Sequence, residues 1–133
     1  MNQLNIDLGL PNHETELNDA EEYIKKLKIR YTKHEKDNVL NREQYIAMYE
    51  DIVRGLDYMG GLSEPAFETY DIIKDTYFKQ YRHAPEMAKF LWRKHYAKVH
   101  QPYNILKNRL FRMIEDIMEL YKTVNDCAPP EYF

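Results

Sequence analysis

The stretch PYNILKNRLFRMIEDIMELYKTV, residues 102–124, decides the fold of this 133-residue chain. Its apolar residues recur at alternating steps of three and four, which is the spacing of one face of an α-helix. The series holds for three heptads, through Tyr103, Leu106, Leu110, Met113, Ile117, Leu120 and Val124. The stripe is widened by Phe111, Ile114, Met118 and Tyr121. A stripe of this width exceeds the seam of a two-stranded coiled coil, so we predict a central, buried helix. The alternative is one strand of an intermolecular coiled coil, that is, a homo-oligomer through this helix.

Helix-start signals place further helices before this one. Asn18 and Asn41 are each followed three residues later by Glu or Gln, which is the pattern of a capping box. Pro85 and Pro102 fit the first turns of the last two helices, where a missing N–H costs nothing.

The second and third helices are predicted to be separated by two glycines. Gly60 and Gly61 should end the second helix, because glycine accepts the left-handed cap conformation without a steric penalty. Ser63 should then begin the third helix, with Pro65 in its first turn. The predicted fold is therefore all-α, a compact bundle of about five helices with the C-terminal helix at its centre.

Composition sets the class of protein. Apolar residues make up 44% and charged residues 31%, so the chain is globular. No run approaches the roughly 20 apolar residues that span a bilayer, which predicts no membrane segment. The single cysteine, Cys127, fits a reducing, cytoplasmic location. We divide the chain into an extended N-terminal peptide (residues 1–16), a helical bundle domain (17–124) and an irregular, Pro-containing tail (125–133).

Charge is strongly segregated along the chain. Residues 78–112 hold nine Lys and Arg against the single acid Glu86, whereas residues 1–77 hold nine against sixteen acids. Clustered like charges repel one another unless something neutralises them. Two interpretations stay open: the cations pair with acids inside the fold, or they face an external acidic partner, which is nucleic acid or an acidic protein surface.

Aromatic residues interleave with these cations on the fourth helix, and aromatic rings can stack on bases while cations hold phosphates. The predicted binding face therefore combines both residue types: Lys79, Arg82, Lys89, Trp92, Arg93, Lys94, Tyr96, Lys98, Lys107, Arg109 and Arg112.

The N-terminal stretch QLNIDL, residues 3–8, alternates apolar and polar residues with a period of two. It resembles the clamp-binding peptide of bacterial replication proteins, a Gln-Leu-x-Leu-x-Leu/Phe pattern that inserts into a groove on the β sliding clamp. Gln3, Leu4, Ile6 and Leu8 would take the family's positions, with Ile6 departing from the usual Leu. The resemblance implies a protein-docking peptide and a bacterial or phage setting. The alternative is that these residues fold back over the bundle.

A second short motif stands at the other end of the chain. Pro129-Pro130-Glu131-Tyr132 matches the Pro-Pro-x-Tyr ligand that WW domains read as a polyproline II turn. It would matter in a eukaryotic setting, so at most one of the two motifs is expected to function.

Patterns of catalytic chemistry are missing from the sequence. There is no Glu-x-x-His pair for a bundle metal site, and no phosphate-cradling loop surrounds Gly60-Gly61. We therefore predict a non-enzymatic adaptor or regulator without metal or cofactor. The alternative function is a structural subunit of a large assembly, held through tyrosine-rich helical surfaces, since the chain has 12 tyrosines.

Overall fold

The computed structural model describes residues 13–68 and 70–131, apart from the side chains of residues 65–67 and 70. This part of the chain is built of α1 (Glu14–Asp37), α2 (Arg42–Glu68), α3 (Tyr70–Gln80), α4 (Pro85–Val99) and α5 (Gln101–Asn125). It contains no strand, so the predicted all-α bundle of five helices is confirmed. The predicted docking peptide lies outside the described residues, as does Tyr132 of the Pro-Pro-Glu-Tyr motif.

The heptad stripe of α5 faces the interior of the bundle. α5 packs against α1, α2 and α4, and exposure along the stripe runs from 0% at Ile117 to 9% at Leu120, with only Val124 half-buried. The prediction of a central C-terminal helix is therefore confirmed. Because neighbouring helices of the same chain already cover this stripe, a second copy could pair through it only by displacing them. This corrects the predicted homo-oligomer contact.

The residues expected to widen the stripe do not all face inward. Tyr121 is buried and Ile114 is half-buried, but Phe111 is 53% and Met118 40% exposed. Both lie near the edge of the apolar arc, and their exposure shows that the bundle does not cover α5 there. The width of the stripe was therefore overestimated on that side.

Two separate clusters form the core. The larger one lies between α1, α2 and α5 and centres on Tyr45, Met48, Ile52 and Ile117, which are at most 1% exposed. The smaller one lies between α3 and α4. It consists of Ile73, Tyr77, Leu91 and Trp92, with Tyr81 and Tyr96 packed at its edge. The α3–α4 helix pair, which carries most of the basic segment, is thus held together by its own apolar contacts.

The capping box of α2 forms as the sequence predicts. The Gln44 N–H donates to Asn41 Oδ1 and the Asn41 N–H donates to Gln44 Oε1, both at 2.9 Å. The flanking Leu40 and Tyr45 are each 1% exposed, as expected of a hydrophobic staple. These contacts fix where α2 begins, at Arg42.

The first helix begins earlier than predicted. Asn18 was expected to cap it, but α1 starts at Glu14, so the predicted boundary between residues 16 and 17 falls inside the helix. Glu14 and Glu16 lie in the first turn, where negative charge interacts favourably with the helix dipole. Just before that turn, His13 Nδ1 lies 2.9 Å from the Tyr103 hydroxyl and links this end of α1 to α5. The helix therefore begins one turn before its best local cap, and a tertiary contact accompanies this earlier start.

The second helix does not stop at its glycine pair. α2 continues through Gly60, Gly61, Ser63 and Pro65 to Glu68, so the predicted helix boundary there was wrong. Ser63 is 1% exposed and its hydroxyl donates to the Gly60 carbonyl at 3.3 Å, acting inside the helix rather than as a cap. Each glycine in a helix costs only about 1 kcal/mol, and the continued helix packs Leu62 against the larger core cluster and buries Ser63, which offsets that cost.

Candidate basic interface

The cations of α4 are all exposed to solvent. Ala88, Leu91 and Trp92 point into the core, whereas Lys89, Arg93, Lys94 and Lys98 are distributed over the rest of the helix surface. Lys89 and Arg93 are four residues apart, as are Lys94 and Lys98, so each pair lies on adjacent turns. The helix therefore presents two short rows of positive charge to solvent.

Two further cations lie next to the start of α4. Lys79 is in the last turn of α3, where a cation complements the helix dipole, and Arg82 is in the turn that joins α3 to α4. Both side chains are exposed. Because the connection is only four residues long, from Tyr81 to Ala84, these two residues stay near the first turn of α4.

The cations of α5 do not form one face with each other. Residues two positions apart project about 200° from one another around a helix, so Lys107 and Arg109 lie on opposite flanks. Arg109 faces α1, where its Nη1 lies 3.8 Å from Glu21 Oε1. Lys107 is half-buried and Arg112 is exposed.

Internal pairing accounts for little of the basic segment. Arg109 is half-exposed and pairs with Glu21, which is the contact that the internal interpretation requires. Within the described residues, the following seven cations form no ion pair: Lys79, Arg82, Lys89, Arg93, Lys94, Lys98 and Arg112. The positive charge of α4 and its approach is therefore left to solvent.

The predicted aromatic members of the face are mostly inside the protein. Trp92 is only 7% exposed, and its ring packs against the rings of His95, Tyr96 and His100 at centroid distances of 5.9–6.1 Å. Tyr96 is half-buried, stacks on His100 at 5.0 Å and accepts a hydrogen bond from Asn104. The Trp92 ring is therefore not available to a ligand at the surface, and His100 occupies one face of the Tyr96 ring. Helical spacing from Ala88 and Leu91 was the signal that placed Trp92 on the buried side.

The exposed aromatic residue of α4 is Phe90, which was not among the predicted site residues. It is 57% exposed, and the Lys94 ammonium lies 5.6 Å from its ring centroid. Met87, one turn earlier, is 48% exposed. The surface of α4 therefore combines cations with two apolar side chains.

A histidine and aromatic cluster anchors α4 to its neighbours. His100 is 0% exposed and connects α4 to α5, and the His95 ring lies 5.8 Å from the Tyr77 ring of α3. Burial lowers the pKa of His95 below its usual value, with a smaller contribution from the nearby His100 and Lys98. Burial therefore favours the neutral imidazole of His95, and the cluster serves packing rather than surface binding.

A second feature that the sequence did not reveal is an apolar groove between α1 and α2. It has a volume of about 310 Å³, is floored by Gly55 and Leu110 and is flanked by Tyr23 and Tyr58. A Cβ at Gly55 would lie 3.2 Å from both δ carbons of Leu110, so glycine permits the close approach of the helices there. Burial, and then the negative charge of Asp51, raise the pKa of Tyr23 above its ordinary value, and its hydroxyl donates to the Asp51 carbonyl at 2.7 Å.

The described residues form neither a metal-ligand cluster nor a membrane-spanning helix. Among residues 13–68 and 70–131, no three His, Cys, Asp or Glu side chains cluster closely enough to hold a metal ion. In the same part of the chain, no helix is both long and apolar enough to cross a bilayer. Cys127 is exposed in the tail that follows α5.

Comparisons of the chain with protein-family models, with curated proteins and with solved structures find no match.

Proposed function

We propose that this protein is a non-enzymatic adaptor or regulator that binds an acidic partner through α4 and the turn before it. The observation that carries the proposal is the set of cations that form no ion pair within the described residues, four of them on the solvent side of α4. Two like charges about 6 Å apart in water repel by roughly 0.7 kcal/mol, so the uncompensated rows cost stability. The negative groups of an acidic partner attract these cations and offset the repulsion between them.

A charge-reversal experiment tests the proposal. The variant carries Arg93→Glu, Lys94→Glu and Lys98→Glu, and the matched control carries Lys26→Glu, Lys33→Glu and Lys36→Glu on α1, which are also exposed. Fluorescence anisotropy measures binding to labelled polyglutamate, duplex DNA and single-stranded DNA at low and moderate salt. We expect the wild type and the α1 control to bind a polyanion and the α4 variant to lose that binding.

The salt dependence measures how many charges the partner meets. If four phosphates are neutralised, DNA affinity should fall about 100-fold between roughly 50 and 200 mM salt. Equal loss of binding in the α1 control would contradict the proposal, because the effect would then come from net charge. Absence of binding to any of the polyanions at low salt would also contradict it.

The N-terminal peptide supplies the second half of the proposal. Gln3, Leu4, Ile6 and Leu8 dock the protein on a second protein, for which the β sliding clamp is the first candidate; the sequence resemblance alone supports this. Docking peptides of this kind bind a groove on their partner in extended form. Binding of the full chain to purified sliding clamp should be lost in the Leu4→Ala, Leu8→Ala variant, and retained binding would remove this part of the proposal.

The alternative, a structural subunit held through tyrosine-rich surfaces, has less support. Of the ten tyrosines whose side chains are described, four are buried, five are half-buried and only Tyr58, at 46%, is exposed. Most of these rings therefore contribute to the protein's own core and its boundary.

A further inference from the structure

Two apolar side chains interrupt the basic surface of α4. Met87 is 48% and Phe90 57% exposed, and they are three residues apart, on neighbouring turns of one helix. Single exposed apolar residues are common on protein surfaces and need no explanation. A neighbouring pair surrounded by cations is less common. A partner that buried both apolar side chains would also contact the cations around them.

The arrangement around the helix axis is ordered. At about 100° per residue, Phe90 projects between Arg93 and Lys94, and Met87 projects in the same direction as the Lys94–Lys98 row. The cations therefore flank the apolar pair on both sides. α4 has 15 residues and is about 22 Å long, which is enough for one helix-sized contact.

This surface is poorly suited to bases. Proteins that bind single strands use several ring faces as stacking platforms, but Trp92 is 7% exposed and Tyr96 stacks on His100. The Lys94 ammonium occupies one side of the Phe90 ring, and a methionine offers no flat face at all. Phosphate-backbone binding would use the cations alone and leave both apolar side chains in water.

The surface fits the anatomy of a protein interface instead. Aromatic residues, methionine and arginine are enriched at such interfaces, and the anchor residues are surrounded by polar contacts that exclude water. Methionine also adapts its shape to the cleft that receives it. Charge complementarity then requires carboxylates on the partner around that cleft.

We infer that the partner of α4 is an acidic protein segment with an apolar stripe, which receives Phe90 and Met87 while its carboxylates meet the two cation rows. The inference rests on the proposed function, since it specifies the partner of the same site. An amphipathic helix with leucines along one face and glutamates on both flanks has this chemistry.

The test compares four labelled probes on the full chain. They are an acidic amphipathic peptide with a leucine stripe, a peptide of equal charge with serine in place of leucine, duplex DNA and single-stranded DNA. The variant is Phe90→Ser, and the matched control is Phe111→Ser on α5, a phenylalanine of similar exposure at 53%. Circular dichroism melting verifies that both variants fold like the wild type.

We expect the leucine peptide to bind at least about 10-fold tighter than the serine peptide, and Phe90→Ser but not Phe111→Ser to remove that advantage. If DNA binds more tightly than the leucine peptide and is insensitive to Phe90→Ser, the inference is overturned while the proposed function stands. Equal binding of the two peptides also overturns it, since the apolar pair would then contribute nothing. If none of the four probes binds at low salt, the proposed function fails together with the inference.

Discussion

Replacing the glycine pair of α2 with alanine should stabilise the protein. A Cβ at Gly60 or Gly61 meets no atom within 4 Å, and neither residue adopts the left-handed backbone conformation. Glycine inside a helix costs about 0.5–1 kcal/mol relative to alanine, so the double variant should gain about 1–2 kcal/mol. For 133 residues the entropy of unfolding is roughly 280 cal/mol/K, which predicts a rise in Tm of about 4–7 °C.

The sign of this change separates two structures. If the pair instead capped the second helix in the left-handed conformation, as the sequence suggests, alanine would be strained and Tm would fall. Far-UV circular dichroism melts of Gly60→Ala, Gly61→Ala and the double variant decide between them. A lower Tm in both single variants would refute the continuous helix.

Gly55 provides the matched contrast in the same helix. A Cβ there would lie 3.2 Å from Leu110 and from Tyr23. Leu110 is 1% exposed and the Tyr23 hydroxyl is hydrogen-bonded to Asp51, so neither neighbour moves easily. Overpacking of this kind typically costs about 1–3 kcal/mol, which offsets the gain in helix propensity. Gly55→Ala should therefore leave Tm unchanged or lower it, and a rise equal to that of Gly60→Ala would contradict the close approach.

Three further outcomes are expected in urea unfolding. Ile117→Ala should lower the free energy of unfolding by about 3–4 kcal/mol because Ile117 is 0% exposed. Met118→Ala, at 40% exposure, should cost less than about 1 kcal/mol, and equal losses would contradict the orientation of α5. Asn41→Ala should cost about 1 kcal/mol by removing the side-chain oxygen that accepts from the Gln44 N–H, and an unchanged midpoint would show that this hydrogen bond contributes nothing. Because burial lowers the pKa of His95 in the folded protein, the unfolded chain binds this proton first, so stability should fall as pH decreases below about 6.5. The free energy of unfolding should change less with pH in His95→Asn. An identical pH dependence would show that a different group is responsible.

Part of the candidate site could be predicted from the sequence. The charge split along the chain pointed to residues 78–112, and helical spacing places Lys89, Arg93, Lys94 and Lys98 on the exposed side of α4, as the structure has them. The same spacing places Trp92 on the buried side of α4. Trp92 was nevertheless included in the predicted binding face because aromatic residues and cations alternate in this part of the sequence. The distribution of charge along the sequence therefore locates a candidate binding segment. Which of its side chains reach solvent depends on the helices packed against it.

Contacts between residues far apart in the chain could not be predicted from the sequence. The pairing of Arg109 with Glu21 joins two helices at opposite ends of the chain, and the groove above Gly55 exists because three helices meet there. Neither leaves a local pattern. The contact of His13 with Tyr103, which accompanies the earlier start of α1, is of the same kind.

By itself the sequence determined the all-α class, the central helix and the start of α2, because apolar periodicity and side-chain caps act over a few neighbouring residues. Tertiary structure alone decided whether α2 stops at Gly60-Gly61, and that α1 begins before Asn18. Local preferences are worth about 1 kcal/mol each, whereas fully burying one large apolar side chain contributes about 1.5–3 kcal/mol. Where the two conflict, packing of distant residues determines the outcome, as it does at Gly60-Gly61 and the buried Ser63 that follows.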